Sequence, residues 1–354
     1  MSQELEPLFK KMLGLGVDTL LVSDLHVIRW LTGFSGSNAR VLLNRDHSAL
    51  FTDFRYGEQV KHEVDAMESI VIQSSFIDTF VEGGYLLGKS LGIQSEQMTV
   101  YDAGQLGDRL TGVDIVPVHC FFDEFRELKN EREIAWMKQA AEISEKVFEE
   151  ILPLISTRTT EAEIAAEISY RHKRYGAEKD SFDPIVASGT RSALPHAKPA
   201  NETFSPGNLI VIDMGCICNG YASDQTRTVA FGRIADEARK IYEITREAQQ
   251  LGIEAARPGL PAKELDALVR GYIDKSGYGE YFGHGLGHGV GVEVHEKPRL
   301  GKTSEDNLLS GSVFTIEPGI YLPGKFGVRI EDTVVMGESA VVPFQSFTKE
   351  LIEL

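Results

Sequence analysis

Residues 283–296, GHGLGHGVGVEVHE, hold three histidines that could do chemistry: His284, His288 and His295. Imidazole is the commonest neutral metal ligand and the commonest acid–base group near neutral pH. The glycines between the histidines allow backbone segments to approach closely around a crowded site. On its own the stretch fits a surface loop or a core histidine as well as it fits a functional site. Its meaning therefore depends on acidic residues elsewhere in the chain.

Four acidic residues occupy matching positions in two similar parts of the sequence. Residues 207–215 and 311–319 both read G-x-apolar-apolar-x-I-acid-x-G, and an acid-x-Thr triplet follows each of them. Such self-similarity indicates an internal duplication, here of two halves related by a pseudo-twofold axis. The acids at the matching positions are Asp213, Asp224, Glu317 and Glu331.

Three of these acids come directly after an isoleucine on an apolar strand pattern. A carboxylate in such a place is costly unless it is paired or binds a metal. Four converging carboxylates would also repel one another unless cations neutralised them. Carboxylates with one imidazole suit Mn²⁺, Co²⁺ or Zn²⁺, and two such ions about 3.5–4 Å apart are a common arrangement. The alternative, that these acids are ordinary strand-end and turn residues, is disfavoured by the duplication.

Helix and turn signals around the acids predict the elements that position them. Two capping boxes, Asn130 with Glu133 and Thr160 with Glu163, begin helices, the second of which ends at Gly176. A strand through residues 211–212 is expected to turn at the Asn-Gly pair 219–220. Two further helices are predicted over residues 236–256 and 261–276.

The N-terminal part alternates helix and strand patterns. Residues 4–15 are amphipathic, and a helical stretch is expected near residues 76–87. Short apolar runs between and around them predict strands at residues 19–22, 41–43, 49–53, 70–73 and 90–94. This alternation indicates a small α/β domain over residues 1–122, with a boundary near residues 122–129.

Composition limits the classes of partner. The length of 354 residues favours about two domains, and the net charge of −17 argues against nucleic acid or an anionic membrane as a partner. No apolar run approaches the roughly 18 residues that a membrane helix needs. No signal peptide is visible, and three cysteines make no disulfide framework. We therefore expect a cytoplasmic protein.

The motifs resemble those of the creatinase/aminopeptidase, or pita-bread, metallopeptidases, and among these the Xaa-Pro peptidases. The matching segments are VIDMG, YASDQTRT, HGLGHGVGVEVHE, TIEPGIY and VRIEDT, and the likeness covers nearly the whole chain. The resemblance implies an α+β fold: a creatinase-like α/β domain, residues 1–122, precedes a pita-bread catalytic domain of two duplicated halves, residues 129–354. It also implies a homodimer.

Ligand roles follow from the resemblance residue by residue. It implies that Asp224 and Glu331 bridge two divalent metal ions, that Asp213 binds one ion, and that His288 with Glu317 binds the other. Mn²⁺ is the favoured metal, with Co²⁺ or Zn²⁺ as alternatives. The substrate implied is a peptide with proline at the second position.

The resemblance also implies a reaction in which a metal-bridging hydroxide attacks the carbonyl before proline. Glu317 is the candidate to take and pass the proton. Three histidines are implied to contact the peptide: His295 would stabilise the oxyanion, His284 would position the peptide, and His196 would orient it near the leaving nitrogen. The remaining motif positions are Tyr321 and Arg329 beside the ligand glutamates, and Arg299 near the substrate carboxylate.

Several alternatives remain open at this point. Creatinase works without metal, although here every ligand position is acidic or histidine, and methionine aminopeptidases usually lack a full N-terminal domain. A non-catalytic binding module of the same fold would typically have lost ligands. Within the Xaa-Pro peptidases, a carboxylate clamp at Arg299 favours a dipeptidase. Residues 33–36 and 52–56 also fit aminopeptidase P, and Arg299 could be a solvated surface cation, so the sequence leans only slightly to dipeptidase.

Overall fold

The computed structural model describes residues 5–65 and 67–354. The chain divides into two compact units, Met1–Asp123 and Glu124–Leu354. The helices of the first unit are α1 (Glu6–Gly14), α2 (Leu25–Thr32), α3 (Gln59–Glu63), α4 (Phe76–Glu82) and α5 (Val100–Arg109). Its strands are β1 (Thr19–Val22), β2 (Ala39–Leu43), β3 (Ala49–Thr52), β4 (Glu68–Val71), β5 (Ser90–Gln94) and β6 (Asp114–Val118).

These six strands form one mixed sheet in the order β4-β3-β2-β1-β5-β6. Strand β1 pairs antiparallel with β2 and parallel with β5, as expected for an α/β unit. Helix α4 ends at Glu82, five residues before the predicted end, because Gly83 and Gly84 follow and Gly84 takes a φ of +70°. Residue 4 of the predicted first helix lies outside the described residues.

The second unit contains the repeated segments. A short helix, α6 (Asp123–Glu127), spans the division between the units. The other helices of the second unit are α7 (Glu131–Ile151), α8 (Glu161–Arg174), α9 (Asp236–Ala255) and α10 (Ala262–Lys275). Its first strands are β7 (Lys179–Asp180), β8 (Ile185–Ser188), β9 (Asn208–Met214), β10 (Cys216–Cys218), β11 (Tyr221–Ala222) and β12 (Gln225–Phe231). The later strands are β13 (Gly287–Gly289), β14 (Glu296–Leu300), β15 (Val313–Ile316), β16 (Gly319–Leu322), β17 (Phe326–Arg329), β18 (Asp332–Met336) and β19 (Val341–Pro343).

The duplication appears as two corresponding strand pairs. In the first half β9 runs antiparallel to β12, within the order β12-β9-β8. In the second half β15 runs antiparallel to β18, within the order β14-β13-β15-β18-β19. A bridge between Thr226 and Glu331 joins the two halves. The predicted α+β architecture with duplicated halves is confirmed.

Two apolar clusters join the helices of this unit to its strands. One apolar cluster joins α7 and α8 to β8, β9 and β12, with Phe148, Ile168 and Ile212 among its members. A second cluster joins α9 and α10 to β15 and β18, with Val269 and Ile316 among its members. Burial of the apolar side chains in these clusters fixes the positions of the strands whose ends carry the acids. No helix in the described ranges is long and apolar enough to cross a membrane.

Local signals set the ends of these elements. Both predicted capping boxes are present, with the Asn130 and Thr160 side chains accepting hydrogen bonds from backbone N–H groups at the starts of α7 and α8. The turn between β10 and β11 is the predicted Asn219-Gly220 pair, with φ values of +49° and +85°. Two positive φ values are what a type I′ hairpin requires.

The strand leading to this hairpin is interrupted, which the sequence did not predict. Strand β9 stops at Met214 and β10 begins at Cys216. At Gly215 the backbone crosses the chain that leads to Asp224, and a Cβ there would lie 1.9 Å from the carbonyl oxygen of Ser223. Only glycine permits this approach. The crossing brings the segments that carry Asp213 and Asp224 together.

Candidate metal centre

The four repeated acids lie at the ends of the two central strand pairs. Asp213 is near the end of β9, and Glu317 follows the last residue of β15. Asp224 and Glu331 directly precede β12 and β18. Because each pair is antiparallel, the end of one strand meets the beginning of the other. All four carboxylates consequently line one cavity of about 460 Å³.

His288 projects into the same cavity from β13. Its Nε2 lies 3.4 Å from Oε1 of Glu317 and 3.6 Å from Oδ2 of Asp224. One ligand atom each from Asp224, His288 and Glu331 lie within 4.8 Å of one another. At the neighbouring Gly287, a Cβ would lie 2.0 Å from the carbonyl oxygen of Thr315. The glycine therefore lets β13 lie close enough to β15 for the imidazole to reach the acids.

Two threonines and an arginine hold the carboxylates, and sequence reasoning assigned no role to the threonines. The hydroxyl of Thr226 donates to Oε2 of Glu331 over 2.6 Å, and that of Thr315 donates to Oε1 of Glu317 over 3.2 Å. Arg329 donates to Oδ2 of Asp213. The repeated acid-x-Thr triplet was the available signal for Thr226.

Asp213 leaves one oxygen for a further partner. Its Oδ1 is buried and has no hydrogen-bond partner among the described residues. A buried carboxylate oxygen without a partner is costly, and a bound cation removes that cost. Together with three more carboxylates and one imidazole, this oxygen completes a donor set that fits divalent ions such as Mn²⁺, Co²⁺ or Zn²⁺. The residues present therefore fit a metal centre.

Burial and mutual repulsion make the metal-free carboxylates weak acids. Burial raises the pKa of Asp224 and of Glu331 well above the usual range, and the negative charges of the neighbouring acids add to the shift. Burial raises the pKa of Glu317 to about 8, with a smaller contribution from Asp213. Protons therefore neutralise these acids in the metal-free protein, and metal ions must displace them.

Three histidines around the acids, His284, His288 and His295, are neutral near pH 7. Burial lowers the pKa of His284 to about 4, and the positive charge of Arg329 lowers it further. Burial and the neighbouring His288 lower the pKa of His295 to about 4. The rings of His288 and His295 meet edge to face, with centroids 4.3 Å apart. Burial also lowers the pKa of His288, which favours the neutral form that binds metals.

A hydrogen-bond chain orients His284 from behind. Arg329 donates to the hydroxyl oxygen of Tyr321 over 2.9 Å, and that oxygen lies 2.9 Å from Nε2 of His284. Nδ1 of His284 lies 2.8 Å from the carbonyl oxygen of Gly285, so it carries the proton. Nε2 then accepts from the hydroxyl of Tyr321. This pattern selects one tautomer and one ring orientation of His284.

The cavity brings together most of the residues that the sequence singled out. Tyr321 lies behind His284 rather than on the cavity surface, and Arg299 is exposed on β14 and does not line the cavity. Sequence reasoning missed Lys198 and an apolar wall of Phe182, Pro184, Ile185 and Val294. The candidates that line the cavity are His196, Asp213, Asp224, His284, His288, His295, Glu317, Arg329 and Glu331.

Metal affinity is expected to rise with pH. Glu317, with a pKa of about 8, must lose its proton to bind a cation, so each pH unit below 8 weakens binding about tenfold per displaced proton. Between pH 8 and pH 6 we expect a loss of at least about 100-fold. Calorimetric titration of the chelated protein with Mn²⁺, in buffers of different ionisation enthalpy, measures both the affinity and the protons released. An affinity independent of pH, without proton release, would contradict this ligand assignment.

The same pKa shift predicts how the metal-free protein responds to pH. An acid whose folded pKa is raised stabilises the fold below its unfolded pKa, and this contribution is lost as pH rises through the folded value. The metal-free protein should therefore lose stability between about pH 4.5 and pH 8, and added Mn²⁺ should raise the melting temperature most at the upper end. Thermal melts across this range, with and without Mn²⁺, check the sign.

Comparison with known families agrees with this geometry. Residues 5–128 match the creatinase/prolidase N-terminal domain, and residues 135–338 match metallopeptidase family M24. A curated Xaa-Pro dipeptidase of Pyrococcus horikoshii is 37% identical over 355 residues, which cover 99% of each chain.

Two solved structures are similar over almost their whole length. An Xaa-Pro dipeptidase from Bacillus anthracis has a TM-score of 0.95 and 36% identity, covering 99% of both chains. An X-Pro aminopeptidase from Thermotoga maritima has a TM-score of 0.90 and 36% identity, covering 98% of this chain and 100% of that one. With its family match, its relatives and its cluster of acids and histidine, the chain belongs to metallopeptidase family M24 and carries a creatinase/prolidase N-terminal domain.

Proposed function

We propose that the protein is an Xaa-Pro dipeptidase that uses two divalent metal ions. The observation that carries the proposal is the single cavity in which the four acids and His288 meet, beside the neutral His284 and His295. Relatives named Xaa-Pro dipeptidase that match almost the full length support the choice of substrate. The proposal assigns all five ligand positions to the cluster: Asp213, Asp224, His288, Glu317 and Glu331.

Bound divalent ions would polarise the peptide carbonyl and supply a hydroxide nucleophile near neutral pH. The chain's own residues then hold the substrate and move the proton. Glu317, which lines the same cavity, would take a proton and pass it to the leaving proline nitrogen. His284 would position the peptide, since Tyr321 fixes its ring. His196 lines the cavity and would orient the leaving group.

His295 is proposed to stabilise the oxyanion of the tetrahedral intermediate. A neutral imidazole donates its N–H without adding a buried charge to the ground state. We expect His295→Ala to lower kcat for Ala-Pro about 100- to 1,000-fold while the protein retains its metals. Steady-state kinetics with metal analysis of the same sample makes the test. Unchanged turnover with full metal content would remove His295 from this role.

Xaa-Pro aminopeptidase is the second candidate function. The similarity to a structure named X-Pro aminopeptidase favours it, at the same 36% identity as the dipeptidase structure. Hydrolysis of Ala-Pro and of Ala-Pro-Ala, each with Mn²⁺ and with a chelator, separates the two. The dipeptidase proposal expects cleavage of Ala-Pro far faster than of Ala-Pro-Ala, and only with metal. Preferential cleavage of the tripeptide would favour the aminopeptidase instead.

The proposal also includes Mn²⁺ as the metal, a homodimer as the assembly and the cytoplasm as the location. Oxygen-rich sites with one imidazole are compatible with Mn²⁺, and the resemblance of the motifs to the Xaa-Pro peptidases supports a dimer. Metal analysis of protein purified without chelator tests the first point. Light scattering coupled to size-exclusion chromatography tests the second, since a monomer would overturn it.

A further inference from the structure

The backbone carbonyl of Asp224 accepts hydrogen bonds from two side chains. Strand β12 begins one residue later, at Gln225, so this carbonyl lies just outside the pairing of β9 with β12. It accepts from the hydroxyl of Thr333 over 2.8 Å and from Nε2 of Gln345 over 3.1 Å. A carbonyl oxygen has two lone pairs, so these donors complete its hydrogen bonding. Side chains therefore hold the backbone of a proposed bridging ligand.

Gln345 also holds the strand that follows the other proposed bridging ligand, Glu331. Its Oε1 accepts from the backbone N–H of Thr333, on β18, over 2.9 Å. The pairing of β18 with β19 stops at Pro343, and beyond it this side chain accepts the N–H of β18. One amide group therefore connects the backbone at Asp224, in the first half of the unit, to the backbone beside Glu331, in the second half.

A primary amide is the group that these two partners require. The NH₂ group of Gln345 meets a carbonyl oxygen and its oxygen meets an N–H, so the partners fix the orientation of the amide. A carboxylate in this place could accept from Thr333 but would repel the carbonyl oxygen of Asp224. Gln345 is only 7% exposed, so loss of its amide would leave buried polar groups of both segments without a partner.

The chain next to Gln345 is itself anchored in the catalytic unit. Oε1 of Glu145, on α7, accepts from the backbone N–H groups of Ser346 and Phe347 over 2.7 Å and 2.5 Å. The ring of Phe347 packs edge to face on that of Phe148, with centroids 4.9 Å apart. Phe148 belongs to the apolar cluster that joins α7 and α8 to β9 and β12. The amide therefore has a fixed position as well as a fixed orientation.

We propose that Gln345 is a positioning residue for the metal centre. It does not line the cavity, but it fixes the backbone of the two segments that carry Asp224 and Glu331. Both carboxylates are thereby held in place before any ion binds. Loss of a group that orients a metal ligand weakens metal binding about 10- to 100-fold. This inference rests on the proposed function, in which these two acids bridge the metal ions.

Gln345→Met tests this role, because it removes the amide and nearly keeps the length of the side chain. Calorimetric titration of the chelated protein with Mn²⁺, at a single pH, should show binding about tenfold or more weaker than in the wild type. Gln345→Asn keeps the amide but is one methylene shorter, so it cannot reach both backbone groups and should weaken binding in the same way. This second variant decides the question if the methionine variant does not fold.

Gln94→Met is the matched control for a general loss of stability. Gln94 is also buried, and its Oε1 accepts from the backbone N–H groups of Ser23 and Asp24 over 2.8 Å and 3.0 Å in the N-terminal unit. This variant should lower the melting temperature of the metal-free protein and leave the Mn²⁺ affinity unchanged. If the Gln345 variants behave like this control, the role of Gln345 is only structural and the inference is overturned.

Hydrolysis at different metal concentrations gives a second readout. Gln345 contacts no reacting atom, so at saturating Mn²⁺ kcat of Gln345→Met for Ala-Pro should stay within about threefold of the wild-type value. The Mn²⁺ concentration that gives half-maximal hydrolysis should rise about tenfold. A fall in kcat with unchanged Mn²⁺ affinity would overturn the inference.

Failure of the proposed function gives a different result, because metal binding is measured without substrate. If the wild-type protein binds Mn²⁺ but cleaves no Ala-Pro, the dipeptidase proposal fails, and the comparison of affinities still decides on Gln345. If the wild-type protein binds no Mn²⁺, the ligand assignment fails and the inference about Gln345 falls with it.

Discussion

Asp224→Asn is expected to abolish metal binding at the centre and hydrolysis with it. The side chain lies 3.6 Å from His288 and close to Glu331, where a bridging ligand would have to be. Loss of a group that hydrogen-bonds to a metal ligand already costs about 10- to 100-fold in metal affinity or activity, so loss of the proposed bridging ligand should lower kcat/KM at least about 1,000-fold. Metal analysis after dialysis should find less than one ion per chain.

The melting temperature of the metal-free variant distinguishes loss of metal binding from misfolding. Burial and the neighbouring acids raise the pKa of Asp224, so its ionised form opposes folding of the metal-free protein. Metal-free Asp224→Asn should therefore melt at or above the temperature of the metal-free wild type at pH 8. The matched control is Asp183→Asn, an exposed acid of the same cavity, which should retain both ions. Full metal occupancy in Asp224→Asn would contradict the bridging assignment.

Among the substitutions considered, Asp332→Asn is expected to cause the largest loss of unfolding free energy. Asp332 is fully buried beside Glu331 and accepts from Arg227 and Lys349, each over 2.7 Å. Burial alone would raise its pKa, but the two cations outweigh burial and lower it. Removing one partner of a buried ion pair leaves uncompensated charge and costs about 3–5 kcal/mol of unfolding free energy. The melting temperature should fall by roughly 6–20 °C at pH 7.

Acid provides a second check on the same residue. An acid with a lowered folded pKa stabilises the fold above its unfolded pKa, and that contribution is lost as pH falls through the folded value. The difference between wild type and Asp332→Asn should therefore shrink below about pH 4. Glu237→Gln, which breaks the exposed pair with Lys325, is the control and should cost under about 1 kcal/mol. A melting temperature unchanged in Asp332→Asn would refute the account of this pair.

The four acids that meet in the cavity could be found from sequence because chemistry and repetition coincide there. Asp213 and Glu317 occupy the same place in two similar segments. An acid that follows an apolar strand needs a charged or metal partner, because the strand is buried. Helix starts were also predictable, since the capping box of Asn130 and Glu133 is local. These features depend on neighbours within a few residues or on self-similarity.

Other features depend on contacts between distant segments. The break in the strand at Gly215 arises because the chain before Asp224 crosses there, and no local signal predicts the crossing. The apolar wall at Phe182 lies by the centre because Ile185 pairs with Asp213. Strand register of this kind follows from tertiary packing. For the same reason the resemblance of the motifs singled out Arg299 for the substrate carboxylate, although the fold leaves this residue exposed on β14 and outside the cavity.

Titration of the chelated protein with Mn²⁺, with bound metal and Ala-Pro hydrolysis followed in the same samples, tests the central claim most directly. We predict no hydrolysis without metal and full hydrolysis when two ions are bound per chain, since the proposed ligand set consists of the four carboxylates and one imidazole that line the cavity. Hydrolysis by metal-free protein, or a fully loaded protein that leaves Ala-Pro intact, would contradict the account.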